Sequence, residues 1–400
     1  MIEVILSDIW IVVQVIIGFN LVFPLVLYLF YSIVKKSDSK QSTILPPEID
    51  YGIIVTAYEQ THTLPAVVKS LLQLNYSNYV VYIVADKCDI SNLSFSDERV
   101  VLLRPEETLA SNTRSHFYAI NRFVRPHQCL TIIDSDNLVE PDYLNRLNPW
   151  FNKGFKAVQG IREAKNLDTT FACLDAARDI YYHFYDGKVL FGAGSSATLA
   201  GSGMAFTTQL YRECLEHLDI TGAGFDKVLQ AAIINRNERI AFTMDAIVYD
   251  EKTSKSTQLV SQRSRWINTW FKYFKYGFGM IGRGLITFNR NKFVFGLILV
   301  RPPLFMFLIL SVVFAFINLL TGNLLAFGLW MAGLLIFVLG FGLALALSHT
   351  DKKIYRSLVN IPKFMFLQVL SLLKIFTPQG NNVATKHYVE THIDDINQQK

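Results

Sequence analysis

From Pro302 to Thr350 the chain carries no charged side chain, a run of 49 residues. About 20 apolar residues cross a bilayer, so a run this long is too apolar for an ordinary protein surface. Thr321-Gly322-Asn323 interrupts it with turn chemistry. Two antiparallel membrane spans are therefore predicted, over 302–320 and 324–347. Ile9 to Val34 forms a second uncharged run, of 26 residues. It is too long for the core of a signal peptide and lacks both a basic leader and a small-residue cleavage site. It reads as a permanent anchor in which Pro24 is tolerated. Lys363 to Lys374 encloses only ten uncharged residues. An interfacial or re-entrant helix is expected there, with a fourth span as the alternative. Lys35, Lys36 and Lys40 follow the first run, and Lys352, Lys353 and Arg356 follow the last. By the positive-inside bias the N-terminus lies outside, and residues 35–290 and the C-terminal tail lie in the cytosol.

Composition narrows the class further. Hydrophobic residues make up 51% of the 400 residues and charged ones 18%. A disordered chain, a collagen-like chain and an ordinary soluble enzyme are excluded. The net charge of +5 comes without a long basic block, so nucleic acid is not an expected partner. Cys88, Cys129, Cys173 and Cys214 contain no CxxC pair and read as reduced core residues.

Residues 50–250 have a different texture. Short β-branched runs (Ile53-Ile54-Val55, Val80 to Val84, Val100 to Leu103, Leu130 to Ile133) alternate with helical patterns at 64–74, at 112–124 and from Pro141. Such alternation predicts an α/β domain with a mainly parallel sheet, whose ligands bind beyond the carboxyl ends of the strands. Three polar clusters directly follow strands: Thr56-Ala57-Tyr58-Glu59, Asp86, and Asp134-Ser135-Asp136. The expected organisation is an anchor over 1–34, the α/β domain over 35–250, and an amphipathic segment over 251–292. Two spans over 293–348 and a tail over 349–400 complete it.

Asp134 and Asp136, two residues apart at a strand end, can both approach a hard divalent cation such as Mg²⁺ or Mn²⁺. Alone, the pair also suits a solvated turn. Asp226, in Gly224-Phe225-Asp226-Lys227, suits a helix N-cap first when taken alone, and a general base as the functional alternative. Gln262-Arg263-Ser264-Arg265-Trp266 opens a segment rich in aromatics and cations. An amphipathic helix at lipid headgroups explains most of it. Its first turn also offers Arg265, whose planar fork matches phosphate oxygens, and Trp266, whose indole can stack on a sugar. Arg114 reads as a surface charge or as a ligand of phosphates. Gly201-Ser202-Gly203 reads as a tight turn or a close backbone approach to a ligand. The histidines show no metal spacing.

In this order the motifs resemble family 2 glycosyltransferases of the GT-A fold, in the membrane-embedded group with hyaluronan, chitin-oligosaccharide and cellulose synthases. The resemblance covers about residues 50–280. It rests on Ile53 to Glu59, Val84-Ala85-Asp86, Asp134-Ser135-Asp136, Gly224-Phe225-Asp226-Lys227, and Tyr249-Asp250-Glu251-Lys252 followed by the QxxRW run 262–266. Thr56 stands where many members have Pro. Phe225 stands where synthases often have Glu or Thr, which removes a possible second acid and puts the base assignment on Asp226 alone. Asn235 and Asn237 replace a usual glycine.

The resemblance implies an inverting transferase of the cytosolic membrane face, in a bacterial cell membrane, working in polysaccharide biosynthesis. A nucleotide sugar, UDP-linked by resemblance, would meet Thr56, Tyr58, Glu59 and Asp86 at its nucleoside. Asp134 and Asp136 would hold Mg²⁺ or Mn²⁺, and Arg114 and Arg265 the diphosphate. Asp226 would be the base, and Gln262 and Trp266 would support a saccharide acceptor. Transfer to a polyprenyl phosphate or lipid-linked acceptor is the rival within enzymes. An inactive scaffold or a transporter is the rival outside them. Three spans do not readily line a polymer channel, so export would require an oligomer or a partner.

Overall fold

The computed structural model describes residues 2–34, 48–374 and 391–399. Lys35, Lys36 and Lys40, which carry part of the orientation argument, lie outside the described residues. The chain opens with α1 (Ile2–Val34), continuous through Pro24. An α/β body follows, with β1 (Tyr51–Tyr58), α2 (Leu64–Leu72), β2 (Tyr79–Asp86), β3 (Val100–Leu103) and α3 (Asn112–Ile120). Next come β4 (Cys129–Asp134), β5 (Leu138–Val139), α4 (Tyr143–Asn152), β6 (Ala157–Ala164) and α5 (Thr170–Tyr182), which runs into a π-helical stretch over His183–Val189. The body closes with the short turn α6 (Leu190–Gly192), β7 (Met204–Thr207), α7 (Thr208–Leu215), α8 (Phe225–Asn235) and β8 (Ile240–Asp250).

The strands form one sheet in the order β3-β2-β1-β4-β7-β6-β8-β5. The pairs β1–β2, β1–β4, β2–β3 and β6–β8 are parallel. β7 is antiparallel to both β4 and β6, and β5 is antiparallel to β8. β1 and β2 are almost wholly buried, as expected of strands covered on both faces. Each fully buried Val, Leu or Ile contributes roughly 1.5–3 kcal/mol over its exposed state. α2 and α4 help to build one face of the core, and α3, α7 and α8 the other. Pro141 does not start its helix. Its carbonyl accepts the Asn75 N–H at 2.8 Å, and α4 begins two residues later.

Beyond the body come α9 (Ser256–Tyr273), α10 (Lys275–Ile286), α11 (Arg290–Val300), α12 (Leu304–Leu320) and α13 (Leu324–Ala346). α14 (Lys352–Ser357), α15 (Ile361–Lys374) and α16 (Ile393–Gln399) follow. Two helices among the described residues are long and apolar enough to cross a membrane, Ile5–Val34 and Leu324–Ala346. α12 reaches that length only together with α11, and the pair is bent by 71°. Arg301-Pro302-Pro303 separates them, and proline cannot continue a helix. α15 has 14 residues and packs against α9. Gln14 of α1 ties the apolar helices together, its side-chain oxygen accepting from Asn318 at 2.6 Å and Trp330 at 2.8 Å. The body is fused to these helices through a shared core. Tyr181, Phe184 and Leu190 pack with Leu27 and Phe337, and the Tyr185 hydroxyl donates to the Gly340 carbonyl at 2.8 Å.

Candidate active site

Parallel pairing of β1 with β2 and β4 brings three strand ends together. The register sets Tyr58 beside Asp86 and Thr56 beside Asp134. All four line one cavity of about 1160 Å³. Asp86 is 2% exposed. Its two carboxylate oxygens accept the backbone N–H groups of Leu109 at 2.9 Å and Ala110 at 2.8 Å. This acid therefore pins the loop leading into α3 against the cavity wall. Glu59 lies outside the lining. Its carboxylate accepts from Lys87 at 2.8 Å, and that bond holds the carboxyl below its usual range.

The structure does not bring Arg114 to the cavity. Its guanidinium donates to both Asp219 oxygens, at 2.8 and 2.6 Å, and to the Leu109 carbonyl. α3 is instead capped by Ser111, and Ser111, Asn112 and Ser115 are the residues at its start that reach the lining.

Asp134 and Asp136 both line the cavity. The Asp134 N–H donates to the Ser202 hydroxyl at 3.1 Å. The Asp136 carbonyl accepts from Lys165 at 3.1 Å. Gly201-Ser202-Gly203 is a turn, with φ of 90° at Gly201 and 65° at Gly203, both in the region that favours glycine. A Cβ at Gly203 would meet Val248 at 3.0 Å. The turn packs behind Asp134, and Gly201 itself reaches the lining. No cluster of three His, Cys, Asp or Glu side chains with metal geometry occurs among the described residues. Two carboxylates leave most of an octahedral shell to water and substrate phosphates, the arrangement Mg²⁺ commonly adopts. The residues present fit such an ion.

Asp226 sits in the first turn of α8, but the N-cap is Gly224, with φ of 100°. The capping alternative for Asp226 is thereby overturned, since the chain enters the helix two residues earlier. Its carboxylate lies 3.0 Å from the Lys227 ammonium and lines the cavity. A Cβ at Gly224 would meet the Tyr273 ring at 2.5 Å and Thr269 at 2.6 Å. The start of α8 is thus seated directly on α9. Beyond α8, Asn237 takes the left-handed conformation, with φ of 63°, a role Asn fills in place of glycine.

α9 carries Gln262, Arg263, Arg265 and Trp266 into the same cavity. The Gln262 side-chain oxygen accepts from Thr253 at 3.1 Å. The guanidinium groups of Arg263 and Arg178 stand 3.9 and 4.4 Å from the Trp266 ring centroid, within cation–π range. Burial lowers the pKa of Arg265. Beneath these residues lies a charge network that sequence reasoning missed. Lys252, 2% exposed, contacts Asp179 at 2.6 Å and Asp250 at 2.5 Å. Arg178 contacts Asp175 at 3.2 Å and also pairs with Asp179, and Arg263 pairs with Asp175. Burial alone would raise Asp179, but Arg178, Lys252 and Arg162 outweigh it and hold its carboxyl well below the usual range. The only signal in the sequence was the Asp250-Glu251-Lys252 run. At its other end the cavity is lined by apolar side chains of α12, α13 and α15.

A family model described as "Glycosyltransferase like family 2" matches residues 46–269. Among solved structures, the chain is similar to a mannosyltransferase from Pyrobaculum calidifontis in complex with GDP-Man and Mn²⁺. That likeness has 14% identity and a TM-score of 0.55, covering 91% of this chain and 97% of the other. It is also similar to residues 1–349 of S. aureus TarS in complex with UDP-GlcNAc. Here identity is 13% and the TM-score 0.41, covering 58% of this chain and 67% of the other. The first likeness establishes a shared GT-A fold, and the second is too partial to carry an argument. No curated protein sequence matches the chain.

Proposed function

The chain belongs to the glycosyltransferase-like family 2, and on that premise we propose that it transfers a sugar from a nucleotide-diphosphate sugar to an acceptor hydroxyl with inversion. The observation that carries this reading is the shared cavity. Asp86, Asp134, Asp136, Asp226 and the Gln262–Trp266 turn, spread over 181 positions of the sequence, all line it.

The nucleoside rests against Thr56, Tyr58 and Asp86. Arg265 faces the diphosphate, the role proposed for it from the sequence, and Arg114 and Glu59 are not needed there. Asp134 and Asp136 would hold Mg²⁺ or Mn²⁺, which supplies positive charge to the departing diphosphate. Asp226 accepts the proton of the acceptor hydroxyl. The hydroxyl oxygen forms its bond to the anomeric carbon from the face opposite the diphosphate. The carbon–oxygen bond to the diphosphate breaks, and its electron pair leaves with the nucleotide. Lys227, its ammonium 3.0 Å from the Asp226 carboxylate, holds the base in place. Gln262, held by Thr253, and Trp266, with the Arg178 and Arg263 guanidinium groups against its ring, form the acceptor wall. The apolar helices set this chemistry at the cytosolic membrane face, where Lys352, Lys353 and Arg356 on α14 satisfy the positive-inside bias.

The test is nucleotide diphosphate release by the full chain in membrane vesicles, with soluble saccharide acceptors also present, from a panel of UDP- and GDP-sugars with Mg²⁺ or Mn²⁺. Release from at least one donor, abolished by excess chelator, is expected. No release from any donor overturns the reading.

A further inference from the structure

The cavity that holds Asp226 does not end at the charged network. It continues between the membrane helices, where Leu308 of α12, Leu334, Val338 and Phe341 of α13, and Met365 of α15 line it. Val338 lines this apolar end and is nevertheless 62% exposed. On a 23-residue apolar span, an exposed side chain faces lipid, so the wall is open sideways to the bilayer. Val338 lies eight residues from the body end of α13, about 12 Å of helix rise inside the membrane. With Gln368 the one polar side chain that α15 adds to the lining, walls mainly of Leu, Val, Phe and Met leave most hydroxyls of a saccharide chain unsatisfied. They do suit a hydrocarbon chain.

A second observation lies where the charged and apolar linings share the cavity. Arg263 is 3% exposed and pairs with Asp175 through one terminal nitrogen. Its Nε and Nη1 have no hydrogen-bond partner, although buried N–H groups are nearly always satisfied. A buried guanidinium with unsatisfied donors, in a residue that lines the cavity, suits an anionic group of a ligand.

We propose that the acceptor is a membrane lipid. Its hydrocarbon chain enters past Val338 and lies between α12, α13 and α15, its anionic head meets Arg263, and its head-group hydroxyl reaches Asp226. The inference rests on the transfer proposed above. The lipid hydroxyl gives its proton to Asp226, its oxygen bonds to the anomeric carbon, and the nucleotide diphosphate departs with the electron pair. The product stays in the bilayer as a glycolipid.

The test uses the full chain in membrane vesicles, with labelled donors from the same panel. Nucleotide release and the partition of label into butanol are read from the same tube. Label is expected in the butanol phase. Val338→Trp places a ring in the entry path and is expected to cut it about tenfold or more. Leu329→Trp, on the same helix, 66% exposed and outside the lining, is expected to leave it unchanged. Release with label only in water-soluble product overturns the lipid acceptor and leaves the transferase standing. Absence of release overturns the transferase. A second measurement needs no turnover: a photoreactive benzoyl-phenylalanine at Phe341 is expected to crosslink labelled hexadecyl phosphate, and unlabelled hexadecyl phosphate to compete better than hexadecanol. Crosslinking no stronger than from position 329 overturns the site independently.

Discussion

Asp226→Asn separates chemistry from architecture at one position. The substitution removes a charge and keeps the shape of the side chain. Because Gly224 caps α8, no capping bond of Asp226 is at stake. Two stabilising effects are lost. A carboxylate in the first turn of a helix contributes about 0.3–1 kcal/mol through the helix dipole. A partly exposed ion pair, here with Lys227 at 3.0 Å, contributes up to about 1 kcal/mol. Stability should therefore fall by less than about 2 kcal/mol, and donor affinity should hold. A positioned base contributes about 10²–10⁴-fold to rate. Turnover should fall by two to four decades, about 3–5 kcal/mol of barrier. The assay is nucleotide diphosphate release with acceptor present, beside donor affinity and the melting temperature of both proteins. A drop of less than tenfold would refute the base assignment, since Phe225 offers no second acid. It would favour an acceptor whose nucleophile is already ionised, such as a phosphate.

Two further outcomes follow from the buried charges. Lys252→Met leaves Asp179 and Asp250 with one cation fewer in a buried site, and should destabilise the body by roughly 3–5 kcal/mol. Lys252→Arg should cost much less, and thermal unfolding followed by intrinsic fluorescence would distinguish them. Burial pushes the His116 imidazole down to about 3, against about 6.5 unfolded. Between those values the unfolded state binds the extra proton. The stability is thus fully present above pH 6.5 and is lost as pH falls toward 3. At pH 5 the loss amounts to about 2 kcal/mol. His116→Leu should flatten this part of the melting-temperature profile. An unchanged slope would contradict the burial argument.

The first half of the site was legible in the sequence because of how parallel strands bury. β1, β2 and β4 are covered on both faces, so each reads as an apolar run, and the polar residue that ends it is the one that reaches the cavity. The second half of the sheet was not legible. β6 carries Gln159, Arg162 and Glu163, whose polarity hides the strand and is answered only in three dimensions. β7 has four residues and finds its place between β4 and β6 by antiparallel pairing across distant sequence. Arg114 shows the same limit from the other side. A cation two residues into a helix offers no clue that Asp219, 105 positions away, takes both arms of its guanidinium. The Arg263–Asp175 pair spans 88 positions. The apolar end of the cavity could not be read at all, because three separate helices form it and each looks lipid-facing on its own.

The proposed reaction is a single displacement at the anomeric carbon, with Asp226 as base. The most direct measurement is the anomeric configuration of the first-formed product, read by proton NMR from the coupling of its anomeric hydrogen. The donor for that measurement is the α-linked nucleotide sugar that supports turnover. A single displacement gives a β-linked product from the first turnover onward. An α-linked product would mean retention, and would contradict a single attack assisted by Asp226.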